Sequence, residues 1–181
     1  MEGLEIGYCS KEDKAYISDL FMRTFKKRPW NSRMNKKDVD SYLDSILEAG
    51  DSICLVAKIN DQTSKNPVGF AFGSKLGYVI NEEINEKTAT YLASIAVEPA
   101  VRDKGIGSQL LSTYMKKAEE LNFKYLSLIT STKSTETLNF YEKHGLSRLE
   151  NERDYSPEST KSGNIFMIRE IDTEKNSIIH V

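Results

Sequence analysis

Cysteine and histidine are scarce in this chain, with two of each among 181 residues. Cys9 and Cys54 lie far apart inside apolar stretches, which predicts buried, reduced thiols rather than a disulfide framework. His144 and His180 belong to no cluster with ligand spacing, so the chain offers no zinc site and no metal is expected. An excess of positive charge is also missing. The formal net charge is −2, so no overall field draws the chain to a phosphate backbone, and nucleic acid is not expected as a partner. No apolar run reaches the ~18 residues that a membrane helix requires, and no membrane partner is expected. The opening Met1-Glu2-Gly3-Leu4-Glu5 lacks the basic-then-apolar pattern of a secretion signal, so the reading is cytoplasmic.

What is present is an ordinary globular balance, 39% hydrophobic and 29% charged, enough for one core under a solvated surface. Neither an interdomain linker nor a repeat interrupts it. One domain over 1–171 and a fraying tail over 172–181 are expected.

Leu4 to Cys9 reads as a first strand, followed by Ser10 to Asp13 as a capping box whose serine accepts from helix amides. Ile17, Leu20, Phe21 and Phe25 then share a helix face, and Pro29 ends that segment. Asn35 caps a second helix striped with Val39, Tyr42, Leu43, Ile46 and Leu47, and Gly50 is placed as its left-handed stop. Ile53 to Ile59 and Val68 to Phe72 form a hairpin across a polar turn, and 77–87 is a less ordered connection. Tyr91 to Val97 is apolar on both faces, as a central strand should be. A helix over Gly105 to Leu121, a strand over Tyr125 to Ile129, and a helix over Ser134 to His144 stopped by Gly145 come next. Ser147 to Arg153 and Ile165 to Ile171 close the chain as a hairpin. The class is mixed α/β.

The most informative stretch runs from Val97-Glu98-Pro99 to Gly105-Ile106-Gly107-Ser108, a strand end, a glycine-bearing turn and the start of an amphipathic helix. The first amides of a helix lack carbonyl partners and lie at the positive end of its dipole, so phosphate oxygens suit them. Gly105 and Gly107 carry no β-carbon and let a pyrophosphate approach, and Arg102 and Lys104 add charge. A dinucleotide fingerprint would need a third glycine where Leu110 stands, and no Gly-Lys-Ser/Thr completes a Walker loop.

Tyr91 to Pro99 together with Gly105 to Leu111 resembles the acetyl-CoA-binding motif of the GNAT superfamily of N-acetyltransferases. Phe140-Tyr141-Glu142-Lys143-His144-Gly145-Leu146 is similar to that family's second motif, with Leu146 where phenylalanine is usual. Phe21-x-x-x-Phe25 with Pro29-Trp30 also resembles a subset of bacterial members. The resemblance implies a central, mostly antiparallel, twisted sheet of about seven strands flanked by four helices. It implies acetyl-CoA as co-substrate, with Ile95, Ala96 and Val97 pairing with the pantetheine arm. Arg102, Asp103, Lys104, Gly105, Ile106, Gly107 and Ser108 would face the pyrophosphate. Ser134 occupies the place of a cofactor-touching asparagine; it either contacts the cofactor or only caps its helix.

Transfer to an amine requires a neutral nucleophile, a stabilised oxyanion and a protonated thiolate. The resemblance makes Tyr141 the acid for the coenzyme A sulfur, and it counts among the cofactor contacts. A backbone amide near Val97 would polarise the thioester carbonyl. The base is open among Glu98, Glu82, Glu83 and Glu86, and the last three also form a loop that attracts a cationic amine. The acceptor is a small-molecule or peptide amine that the sequence does not select, and pairing at a sheet edge is a route to a homodimer. Two other functions compete: a GNAT-like module that holds acyl-CoA without turnover, and a nucleotide-binding oxidoreductase using the same helix end.

Overall fold

The computed structural model describes residues 3–27, 30, 32–60, 65–149 and 163–171. Its strands are β1 (Leu4–Tyr8), β2 (Ile53–Asn60), β3 (Lys65–Lys75), β4 (Ala89–Val97), β5 (Tyr125–Ser131), β6 (Ser147–Arg148) and β7 (Asn164–Glu170). The helices are α1 (Lys14–Phe25), α2 (Lys36–Glu48), α3 (Ile106–Glu120) and α4 (Thr135–Lys143). The sheet has seven strands in the order β1-β2-β3-β4-β5-β7-β6, with β4 and β5 parallel. The strand and helix count therefore matches the expected mixed α/β architecture. None of the described helices is long and apolar enough to cross a membrane.

The chain divides into two compact units, 1–74 with 92–114 and 75–91 with 115–181. In the first, the α1 stripe Ile17, Leu20 and Phe21 and the α2 stripe Val39, Leu43 and Ile46 are buried against Cys54, Phe70, Phe72 and Ala96. Asn35 closes a reciprocal cap: its side chain accepts from the Asp38 amide at 3.0 Å, and the Asp38 carboxylate accepts from the Asn35 amide at 2.8 Å. Such a cap is worth about 1 kcal/mol.

One local expectation is met with a changed hydroxyl and one fails here. The Ser10–Asp13 capping box is present, the Asp13 carboxylate accepting from the Ser10 amide at 2.9 Å, but the Ser10 hydroxyl also donates to that carboxylate, at 3.0 Å, while Lys58 pairs with it at 2.6 Å. A full negative charge is a better acceptor than a hydroxyl oxygen, so the proton turns toward it. Gly50 is not among the glycines with positive φ, because α2 already ends at Ala49 in an extended conformation (φ −86°, ψ 127°). Pro29, the turn at 61–64 and the end of the last hairpin at 150–153 lie outside the described residues, as does the tail at 172–181.

In the second unit Leu76, Ile80, Ile84 and Ala89 pack with Phe166 and Ile168. The connection at 77–87 is better ordered than its polarity predicts. Asn81 Oδ1 accepts from the amides of Glu83 and Ile84, Asn85 Oδ1 accepts from Lys87, and the Ile80 amide donates to Ile84 at 2.9 Å. Side-chain oxygens here replace the partners that a strand or helix would supply.

Thr130 on β5 is 2% exposed, and its hydroxyl has no hydrogen-bond partner among the described residues. An unmet buried hydroxyl costs roughly 1–3 kcal/mol. Thr130→Val, which keeps the branched shape, is therefore expected to raise the thermal midpoint by about 2–4 °C, read by calorimetry. A lower midpoint would mean that the hydroxyl is satisfied after all.

Candidate functional site

In the first unit, β4 ends at Val97 and the chain turns through Pro99–Val101 into α3. The turn is pinned at both ends. The Glu98 amide donates to Val68 at 2.8 Å, and the Val101 amide donates to Glu98 at 3.0 Å. Gly69 on the neighbouring strand explains how close the backbones come, since a β-carbon there would sit 2.9 Å from the Ala96 carbonyl oxygen and 3.2 Å from Leu110. Only hydrogen fits in that space.

Beyond the turn the backbone takes two left-handed steps, Asp103 at φ 60° and Gly105 at φ 79°. The first intrahelical bond runs from Gln109 to Gly105 at 3.0 Å, so α3 starts with its amides unbonded. Among the described residues, the amides of Gly105, Ile106, Gly107 and Ser108 donate to no backbone carbonyl. Nothing stands within 4 Å of the position where a Gly105 β-carbon would be. Four unmet donors, the positive end of a fifteen-residue helix and open space together suit an anion. Buried Ile106, Leu110, Leu111 and Tyr114 hold the helix behind it. Lys104 is exposed. Arg102 does something the sequence did not suggest: its Nε donates to the Val97 carbonyl at 3.1 Å, folding the side chain back on the strand end.

Glu98 is not a free base. Its carboxylate takes both arms of the Arg23 guanidinium, at 2.7 and 3.0 Å, which holds its pKa below the usual carboxylate range. Beside it the Tyr16 phenol is pushed well above its ordinary pKa, first by burial and then by the Glu98 charge. A carboxylate so stabilised holds protons poorly and suits an electrostatic anchor better than proton abstraction.

In the second unit, Tyr141 lies on α4 and is 7% exposed. Burial raises its pKa, so the phenol stays neutral across the physiological range. The end of α4 holds it in place. Gly145 takes φ 77°, the Gly145 amide donates to Glu142 at 2.9 Å, and the Leu146 amide donates to Tyr141 at 3.1 Å. These are the two bonds of a Schellman cap, whose closing residue is typically apolar, which accounts for Leu146 being 2% exposed. His144 adds a contact between its Nδ1 and the Phe140 carbonyl oxygen at 2.7 Å, and Arg169 donates to the His144 carbonyl at 2.6 Å. The predicted stop at Gly145 is thus present.

Ser134 precedes α4, but its hydroxyl meets the Thr137 hydroxyl at 2.7 Å and caps no helix amide, so the capping account of this serine fails. Glu82, Glu83 and Glu86 are exposed on the ordered loop of this unit. Among the described residues no group of three or more histidine, cysteine or carboxylate side chains has the arrangement of a metal site.

The sequence matches the model of the Acetyltransferase (GNAT) family over residues 14–146. Among solved structures, Ard1 of Thermoplasma volcanium is 19% identical with a TM-score of 0.69, covering 94% of this chain and 99% of its own. The protein yncA of Salmonella typhimurium, solved with its cofactor acetyl-CoA, is 14% identical with a TM-score of 0.71, covering 96% of this chain and 97% of its own. NAA60 of Arabidopsis thaliana, solved with a bisubstrate analogue, is 13% identical with a TM-score of 0.70, covering 93% of this chain and 99% of its own. At these identities the likeness is one of fold. No curated protein matches the chain.

Proposed function

Because this chain belongs to the acetyltransferase (GNAT) family, we propose that it transfers an acetyl group from acetyl-CoA to a primary amine, acting as one catalytic domain. The observation that carries this reading is the run of four unmet amides from Gly105 to Ser108 directly after the buried strand β4. Those amides receive the pyrophosphate, with the charge of Lys104 beside them and the left-handed Asp103 setting the turn. Ile95, Ala96 and Val97 offer main-chain groups to the pantetheine amides, as a strand edge does to an added strand. Arg102 contributes in two ways, by holding the Val97 carbonyl and by leaving its other guanidinium donors for phosphate. Ser134 is a further cofactor contact in this reading, its hydroxyl not being used on a helix amide.

The acceptor must arrive neutral. A lysine-like amine with pKa ~10.4 is only about one part in a thousand neutral at pH 7.4, so a proton leaves before or during attack. The thiolate that departs needs a proton, and the one shed by the amine is enough to balance the reaction. Tyr141 connects the two. A phenol with a raised pKa does not surrender its proton outright to a thiolate of pKa ~8.5. It donates a hydrogen bond to the developing charge on sulfur and hands over its proton only as another reaches its oxygen. With Glu98 engaged by Arg23, water is the carrier that takes the proton from the amine.

The decisive experiment incubates the protein with acetyl-CoA and a pooled library of amines. Release of free thiol together with the mass gain of one acetyl group on an amine is expected. Tight binding of acetyl-CoA with neither signal would instead make the protein a holder of acyl-CoA, and absence of binding would end the reading. The exposed carboxylates Glu82, Glu83 and Glu86 are proposed to draw a cationic acceptor. Changing all three to glutamine is expected to raise acceptor KM several-fold and flatten its dependence on salt, with kcat preserved. An unchanged KM at low salt would remove that role.

A further inference from the structure

The only two cysteines of the chain stand opposite each other. The antiparallel register of β1 and β2 reaches Tyr8 opposite Leu55, and one step further sets Cys9 against Cys54, where the Cys9 amide donates to the Cys54 carbonyl at 2.9 Å. Side chains directly opposed across an antiparallel pair project from the same face. Both enter the same core cluster, Cys54 as a member and Cys9 packed against it. Opposed α-carbons in such a ladder lie roughly 4.5–5.5 Å apart, inside the ~4.4–6.8 Å span of a disulfide. The two thiols are also unlike each other. Cys54 is 4% exposed, whereas Cys9 is only partly buried. A hydrogen bond from the Cys54 thiol lowers the Cys9 pKa against the opposing effect of burial, and the same bond together with burial pushes Cys54 up.

We infer that Cys9 and Cys54 form a reversible dithiol–disulfide pair that hydroperoxides oxidise. The less buried Cys9 sulfur, as thiolate, attacks the peroxide oxygen; an S–O bond forms, the O–O bond breaks, and the leaving oxygen departs as water or alcohol once protonated. Cys54 then displaces the hydroxyl from Cys9. The S–S bond forms, the S–O bond breaks, and the Cys54 proton leaves with the hydroxyl as water. Two thiols lose two electrons and the peroxide gains them. An external dithiol reverses the change. The bond would close the segment between Cys9 and Cys54, which carries α1 and α2, into a covalent loop.

The test treats the full-length protein with hydrogen peroxide, blocks remaining thiols with iodoacetamide and reads the intact mass and the non-reduced peptide map. The expected protein is lighter by two hydrogens, carries no blocking group, yields a Cys9–Cys54 cross-linked peptide and returns to the dithiol with dithiothreitol. Its thermal midpoint should exceed that of the reduced protein by about 5 °C, because a closed loop restricts the unfolded chain. Cys54→Ser should stop at a Cys9 sulfenic acid that dimedone traps, and Cys9→Ser should leave Cys54 unmodified. Oxygen adducts on Cys9 without the cross-link, a disulfide between two molecules, or two thiols that remain alkylatable would each overturn the inference. The wild-type mass and map decide alone, so a variant that fails to fold leaves the test intact.

Discussion

Tyr141→Phe is expected to lower kcat by about 10²-fold and leave the Kd for acetyl-CoA unchanged. The substitution removes one hydroxyl from a side chain that is 93% shielded by its surroundings and whose ring stays packed at 5.3 Å from Phe140, so little but the donor changes. The sulfur carries little charge in bound thioester and much in the transition state, which is why the loss falls on kcat and not on binding. Single-turnover measurement isolates the chemical step from product release. Because burial holds the phenol neutral, the wild-type rate should show no alkaline fall attributable to Tyr141 near the ordinary phenol pKa of ~10. A full chemical rate in the phenylalanine variant would remove Tyr141 from the reaction.

Gly107→Val is expected to weaken acetyl-CoA by about 10²-fold without lowering stability. Gly107 lies in the first turn of α3 with no left-handed strain, and valine costs a helix less than glycine does. With the pyrophosphate placed as proposed, the added methyls crowd the amides that phosphate oxygens must reach. Each hydrogen bond to a charged acceptor contributes ~1.5–3 kcal/mol, so blocking one or two accounts for the size of the effect. Titration calorimetry gives the affinity and a thermal scan gives the stability. Gly105→Val is the contrast, since φ 79° is a conformation that a branched residue resists, and both readouts should fall together. Normal affinity in the Gly107 variant would place the pyrophosphate somewhere other than this helix start.

How far the chain could be read in advance followed the range of each interaction. Val39, Leu43 and Ile46 announce α2 by their spacing alone, and Asn35 announces its start, because every partner lies within a turn or two. Gly145 announces the end of α4 for the same reason. The errors arise where two local partners compete. Ser10 and Asp13 form the expected box, but the Asp13 carboxylate, further held by Lys58 from β2, also takes the Ser10 hydroxyl proton. The polar run 77–87 looked loose because its order depends on which asparagine oxygen meets which amide, and composition does not encode that.

The helix start proposed to receive the pyrophosphate follows from the order of residues alone, since unmet amides, missing β-carbons and a preceding strand are all neighbours in the chain. Pairings between distant residues needed the folded chain. Arg23 and Glu98 are 75 positions apart, and their fork turned a candidate base into a held carboxylate. Cys9 and Cys54 face each other only because β1 and β2 settled into one register, which a single-residue slip would have undone. Register and packing are set by the whole core together, so chemistry that depends on them appears only once that core has formed.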